Sequence, residues 1–265
     1  MEPKVTKLGE LYRSPLITIV IVTSLAFFSA QLNWFSAFDR LFYDFLIKHH
    51  TSAYPDDIVL VSVDEASLES LGGWPWDRYQ HAALLTKLKQ ADAVAFDIIF
   101  SEPQSERFFQ NDIHSSGLSS DRLFANEIER RGNVVLPVYV EQHFSGYARE
   151  MLPIPILSES ASAMGHVNVD FDSDGIVRSV IGAVGLGAPF WPHLSVAVLR
   201  VQGLEPGMDE SVPAAESLSP HSLNKAGVQY IRFVGPANSI FSFSYADVLA
   251  GMVPEKAFAN KTVFV

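Results

Sequence analysis

From Ser14 to Phe38 the chain carries no charged residue, a run of 25 positions centred on Leu16-Ile17-Thr18-Ile19-Val20-Ile21-Val22. A helix rises about 1.5 Å per residue, so roughly 20 apolar residues cross a bilayer core of about 30 Å. Trp34 and Phe35 stand where an interfacial aromatic anchor belongs, and Lys4, Lys7 and Arg13 precede the run. Basic residues before a first span favour a cytoplasmic N-terminus. The expected organisation is therefore a cytoplasmic N-terminus over 1–13, a transmembrane helix over 14–35 and an exported domain over 36–265. The expected location is the inner (cell) membrane, with the domain on the periplasmic or extracellular side. A cleaved signal peptide is an alternative, but Phe28-Ser29-Ala30-Gln31 is a poor small-x-small site. A buried core helix is another, set against a stretch that is apolar all round and terminal.

Composition narrows the classes. Beyond residue 33 there are 16 Lys and Arg against 28 Asp and Glu, a formal charge of −12. Such a surface repels phosphate backbones, so nucleic acid is not an expected partner. Cysteine is absent, which removes disulfides, thiolate metal sites and Cys nucleophiles.

Residues 39–47 place apolar side chains at helical spacing, at positions 38, 41, 42, 45 and 46. The expectation is a helix that couples the membrane segment to the domain. The β-branched run 58–63 reads as a buried strand, 79–90 as a helix and 93–100 as a second strand. Strand, helix, strand implies parallel strands joined by a right-handed crossover. A helix over 121–131 stopped by Gly132 and a strand over 133–140 repeat the unit. Residues 166–171 and 176–184 flank Asp174-Gly175 and read as a β-hairpin. Later segments read as a helix over 193–201, a strand over 229–234, a helix over 245–250 and a strand beginning at 262, where the chain stops as if C-terminally incomplete. The expected fold is α/β: a mostly parallel central sheet flanked by helices, with an added β-hairpin, preceded by one N-terminal transmembrane helix.

In parallel α/β sheets, ligands bind beyond the carboxyl ends of the strands. Asp64 and Glu65 end one expected strand; Asp97 and Glu102 lie at the end of the next. Between them "GGWPWDR" (72–78) supplies Trp74, Trp76 and Arg78. The candidate ligand-binding set is Asp64, Glu65, Trp74, Trp76, Arg78, Asp97 and Glu102. Carboxylates there suit a hard cation or a cationic or hydroxyl-rich ligand, and equally suit helix capping. The tryptophans suit stacking or core packing, with packing favoured, and Arg78 is positioned to pair with one of the acids. Asp170-x-Asp172-x-Asp174-Gly175 begins like a calcium loop, but position 181 is Ile where the pattern needs Glu. It reads instead as a turn with Arg178 compensating the acids. No nucleophile–base pair, metal motif or phosphate loop is present, so no catalytic residue, metal or cofactor is expected.

"IVLVSVDEASLESLGGWPWDRYQHAALLTKL" (58–88) with "AVAFDIIFSEP" (93–103) resembles the CHASE2 domain family, extracytoplasmic sensory domains of bacterial transmembrane receptors. "GHVNVDFDSDGIVRS" (165–179), "YIRFVGP" (230–236), "SYADVLAG" (244–251) and "KTVFV" (261–265) match in the same order. Asp77 departs from the proline often seen there, and the chain stops before the glycine that the pattern places next. The resemblance implies a signal-input domain, not an enzyme. In such receptors it transmits a small-molecule or protein stimulus to a cytoplasmic effector, such as a cyclase or kinase, absent from this sequence. Two other readings stay open. One is a metal-dependent envelope hydrolase using Asp64 and Asp97 as ligands. The other is a scaffold working as a homodimer.

Overall fold

The computed structural model describes residues 15–31, 36–49, 55–104, 119–143, 147–187, 190–207, 223–236 and 238–265. The chain forms two compact units, residues 1–53 and 54–265.

The first unit contains helices α1 (Pro15–Gln31) and α2 (Ser36–His49). α1 has 17 residues, no charge, and exposed Ile19, Val22, Leu25 and Phe28. Thr23 and Ser29 donate their hydroxyls to the helix's own carbonyls, Ile19 O and Ala26 O. Among the described residues, no helix is long and apolar enough to cross a membrane. Trp34 and Phe35 lie outside the described residues. α2 carries the expected stripe, with Phe38, Leu41, Phe42, Phe45 and Leu46 exposed.

The second unit is a mixed α/β fold. Its larger sheet holds β1 (Ile58–Ser62), β2 (Ala93–Ala95), β3 (Val134–Gln142), β4 (Ala148–Met151), β5 (Ala163–His166), β9 (Phe241–Ser244) and β10 (Thr262–Phe264), and it is mostly parallel. The order is β4-β3-β2-β10-β1-β9, with β5 also paired to β3. Alternation sets the two faces. Val59, Val61, Val94, Val134, Leu136 and Val263 meet helices α4 (Arg78–Lys87), α5 (Ser120–Arg131) and α8 (Tyr245–Leu249). Ala93, Ala95, Val135 and Phe264 meet α7 (Leu194–Val201) on the opposite face. Helix α3 (Glu65–Leu71) follows β1, and the one-turn α6 (Pro155–Ser158) precedes β5.

Local chemistry explains most element ends. α5 starts where Ser119 accepts from Arg122 N–H and stops at Gly132 in the left-handed conformation, φ 67°. Asp121 in its first turn and Arg130 and Arg131 in its last complement the helix dipole.

β1 and β2 run parallel, as expected, with β10 between them, pairing Val59 with Val263 on one edge and Val263 with Val94 on the other. A strand buried on both faces and both edges gives no local sign of its place in the order. The first departure from expectation is the 166–184 hairpin, which is absent as a ladder. β5 pairs in parallel with β3, while β6 (Ser179–Gly185) joins a separate antiparallel sheet between β7 (Trp191–Pro192) and β8 (Asn224–Tyr230). The Asp172–Ile176 turn itself forms, closed by Gly175 N–H on Asp172 O, and buried Arg178 pairs with Asp172 (2.7 Å) and Asp174 (3.0 Å). The second departure is β2, which ends at Ala95 rather than at 100. Past that point Asp97 N–H still bonds Val265 O, but the chain turns away to bury Phe100.

α7 approaches β5 closely because residue 165 is glycine. A Cβ there would stand 2.7 Å from Leu194 Cα and 2.9 Å from Leu194 N. Backbone cannot yield as a side-chain tip can, so Gly165→Ala is expected to cost about 1–3 kcal/mol by overpacking. Gly73→Ala, where a Cβ meets nothing within 4 Å, is the control. Urea unfolding of both variants measures the difference.

Candidate functional site

The carboxyl ends of β1, β10 and β2 open into a cavity of about 740 Å³. Val63, Leu68, Ile98, Val169, Leu194 and Phe264 give it apolar walls, and Trp74, Asp97, His193 and Ser195 also line it. A second cleft of about 510 Å³ lies alongside, lined by Pro75, Trp76, Arg78, Glu102 and Gln104. Trp74, Asp97 and Ile98 line both.

The candidate residues divide. Asp64 stands at the end of β1, but its carboxylate is the N-cap of α3. Oδ1 accepts from Ser67 N–H (2.9 Å), from the Ser67 hydroxyl and from the Ser244 hydroxyl (2.9 Å). These bonds, the Ser67 hydroxyl first, hold its carboxyl below the usual carboxylate range. Glu65 points to solvent in the first turn of the same helix. Neither lines either cavity.

The two tryptophans take different roles across the cis Trp74–Pro75 bond. Trp76 is 3% exposed, donates Nε1–H to Gly72 O (2.7 Å) and packs on Tyr245 at 4.7 Å between ring centroids. It is a core residue. Trp74 is 43% exposed, meets Trp76 edge-on at 5.2 Å, and forms cavity wall. Arg78 does not pair with a strand-end acid. Its partner is Asp121 of α5 (3.5 Å), its guanidinium lies 4.5 Å from the Phe100 ring centroid, and it reaches Glu102 only at the backbone oxygen (3.4 Å). Burial pushes its pKa down. Arg78 therefore ties the segment after β2 to α4 and α5. The Glu102 side chain is exposed on the cleft rim.

Asp97 behaves differently from the other acids. Among the described residues its carboxylate has no hydrogen-bond or ion-pair partner, although its side chain reaches water. The cavity walls displace enough of that water to push its pKa up. A carboxylate with a raised pKa in a cleft is a functional-site signal.

Three polar features were not legible as site elements. His193 caps α7: its Nδ1 accepts from Ser195 N–H (3.3 Å) and pairs with the Ser195 hydroxyl (2.8 Å). Burial lowers its pKa, so at the cavity wall it is a neutral imidazole. His81 is fully buried among Phe96, Phe100 and Phe124, and its Nδ1 pairs with the Tyr245 hydroxyl at 2.9 Å. Burial first, then Arg78, lower its pKa to about 3. His81 is thus a neutral hinge between α4 and α8, not a base. Asn168 mimics a strand residue, accepting from Val140 N–H (2.9 Å) and donating to Val140 O (2.8 Å). The only sequence sign of these was a lone polar residue inside an apolar pattern.

Among the described residues, no group of three or more His, Asp or Glu gathers as a metal site. Asp97 lines both of these cavities and Asp64 lines neither.

The family model of the CHASE2 domain matches residues 17–265, nearly the whole chain. The chain belongs to the CHASE2 domain family. This is a family of extracellular sensory domains, consistent with a sensing role. No match was found among curated proteins or among solved structures.

Two outcomes separate the acids of this CHASE2 domain. Asp64→Ala removes a cap and is expected to cost about 1–2 kcal/mol in denaturant unfolding. Asp97→Asn has the opposite sign. Between the unfolded-state pKa of about 3.9 and the raised native value, the native state binds more protons, so stability falls as pH rises through that window. A neutral amide at this position carries no such penalty. The variant is expected to raise the thermal midpoint at neutral pH, with the gain vanishing as the pH falls below that window.

Proposed function

We propose that this chain is the signal-input part of a membrane-anchored bacterial receptor. Its CHASE2 domain faces the periplasmic or extracellular side and passes a stimulus to a cytoplasmic effector. It is a binding module rather than an enzyme. The observation that carries the reading is the family match, which begins at residue 17 inside α1, so the pattern includes the apolar helix as well as the domain.

Physical features of the helix support the anchor. The uncharged run extends beyond α1 in both directions, from Ser14 to Phe38. The α1 hydroxyls at Thr23 and Ser29 are satisfied within the helix. Backbone and hydroxyl groups that need no outside partner suit hydrocarbon surroundings. Lys4, Lys7 and Arg13 then orient the N-terminus inward. α2, with its exposed apolar stripe, is the element through which the domain and the anchor communicate, and pairing of that stripe with a second copy would make the receptor a homodimer.

The sensory site in this reading is the strand-end cavity. A stimulus changes the output only if it binds one arrangement of the domain more tightly than another. The cavity contacts Phe264 and Val265 of the β10 segment together with the ends of β1 and β2, so an occupant bears on the centre of the sheet.

Topology is tested with fusions in a bacterial host. Alkaline phosphatase, which folds only after export, is expected to be active when joined after Val265, while a cytoplasm-dependent fluorescent protein at the same junction stays dark. The protein is also expected to resist carbonate extraction from membranes. An inactive phosphatase fusion with a bright fluorescent one overturns the orientation, and release by carbonate overturns the anchor.

A further inference from the structure

We propose that the strand-end cavity takes an organic ammonium ion, a cationic head on a hydrocarbon or aromatic body, with Asp97 as counter-ion and Trp74 as the aromatic surface against the head. The proposal rests on the cavity being the sensory site, and adds the chemical class of its ligand.

Charge inside the cavity has one sign. Among the described residues, Asp97 is the only side chain lining it that is charged at neutral pH, and no Lys or Arg lines it. His193 is neutral there, its Nδ1 committed to Ser195. In the adjoining cleft Arg78 is engaged by Asp121. Among the described residues, the Asp97 carboxylate is left without a partner. Asp97 is still open to water, and a ligand that covered it would have to replace that water, which costs least when the ligand is itself a cation.

The remaining walls select among cations. A hydrated metal ion needs several oxygen ligands, and no cluster of His, Asp or Glu is gathered at the cavity. Val63, Leu68, Ile98, Leu194 and Phe264 offer hydrocarbon contact instead. Trp74 is 43% exposed, and an indole face attracts ammonium groups more strongly than other rings do. About 740 Å³ falls in the range of small-molecule sites and exceeds the needs of a bare ammonium ion, so the cation brings an apolar body. Anions are disfavoured both by Asp97 and by the formal charge of −12 beyond residue 33. A neutral apolar ligand would fill the walls yet strip water from an unpaired carboxylate.

The test uses the full 265-residue chain in detergent and three matched probes: benzyltrimethylammonium, its neutral carbon isostere, and phenylacetate. Binding is read by titration calorimetry and by tryptophan fluorescence. The ammonium probe is expected to saturate, with the isostere and the acid at least about tenfold weaker. Asp97→Asn is expected to weaken the ammonium probe by about tenfold or more and to abolish the fall in its affinity at low pH. Trp74→Leu is expected to weaken it several-fold while the circular dichroism stays unchanged. If the neutral isostere binds as tightly, or Asp97→Asn retains the affinity, the charge requirement is overturned while the cavity survives as a binding site. If none of the probes binds folded protein, the ammonium proposal is overturned. The topology fusions are unaffected by either result, so the receptor reading stands or falls separately.

Discussion

The second unit depends on β10 being held on both edges. Thr262, Val263 and Phe264 pair with β1 on one side and β2 on the other, and Val263 is fully buried. Without this three-residue strand, β1 and β2 expose facing rows of backbone donors and acceptors in the middle of the sheet. Buried groups left unpaired in that way each cost free energy comparable to a lost hydrogen bond. The sheet closes only when residues about 200 positions apart in the chain meet. That is a non-local contact of the kind that slows folding and makes it cooperative. The same strand sets the shape of the cavity: β1, β10 and β2 end side by side, and Asp97 N–H bonds Val265 O where β2 leaves the sheet.

The acids at those strand ends illustrate how identical chemistry divides by environment. Asp64 gives its charge to the start of α3 and receives three hydrogen bonds, so ionisation there stabilises the fold. Asp97 is partly desolvated by the cavity and has no side-chain donor among the described residues, so its ionisation works against the fold. Residues that destabilise a resting domain are commonly those retained for function, because stability and binding draw on the same groups with opposite demands. Trp74 and Trp76 divide in the same way. Trp76 spends its ring on Tyr245 and its N–H on Gly72, while Trp74 leaves a large apolar surface in contact with water.

What the sequence made legible follows the range of the forces. α5 was readable at both ends because its cap, Gly132 and its terminal charges act within one turn. β1 and β3 were readable as continuous β-branched and apolar runs, which the structure buries. The order of strands was not, since β2 and β10 are three residues long each and carry no local mark of which neighbour they meet. β9 was missed although Phe241-Ser242-Phe243-Ser244 alternates, because a four-residue edge strand before a helix resembles a turn. In the candidate site, location at strand ends was legible from topology rules, and Trp74, Arg78, Asp97 and Glu102 do collect around one pair of clefts. The roles were not. Asp64 finds Ser244 across 180 positions, His81 finds Tyr245 across 164, and Arg78 finds Asp121 rather than a nearer acid.

Those long-range pairs also connect the cavity to the rest of the domain. Ser244 ends β9 and leads into α8, so the Asp64 cap joins α3 to α8 across the end of β1. At the next residue, the Tyr245 hydroxyl holds His81 of α4, and Trp76 packs on the same tyrosine. Trp74 then stands between this rigid aromatic packing and the cavity. An occupant that presses on Trp74 meets a wall backed by closely packed rings, which shift between discrete packings rather than deforming gradually. On the other side of the cavity is the β10 end, where Asp97 N–H bonds Val265 O and Val265 N–H bonds Ala95 O. A ligand bound at the Asp97 carboxylate therefore sits one backbone hydrogen bond away from β10, the strand that joins β1 to β2.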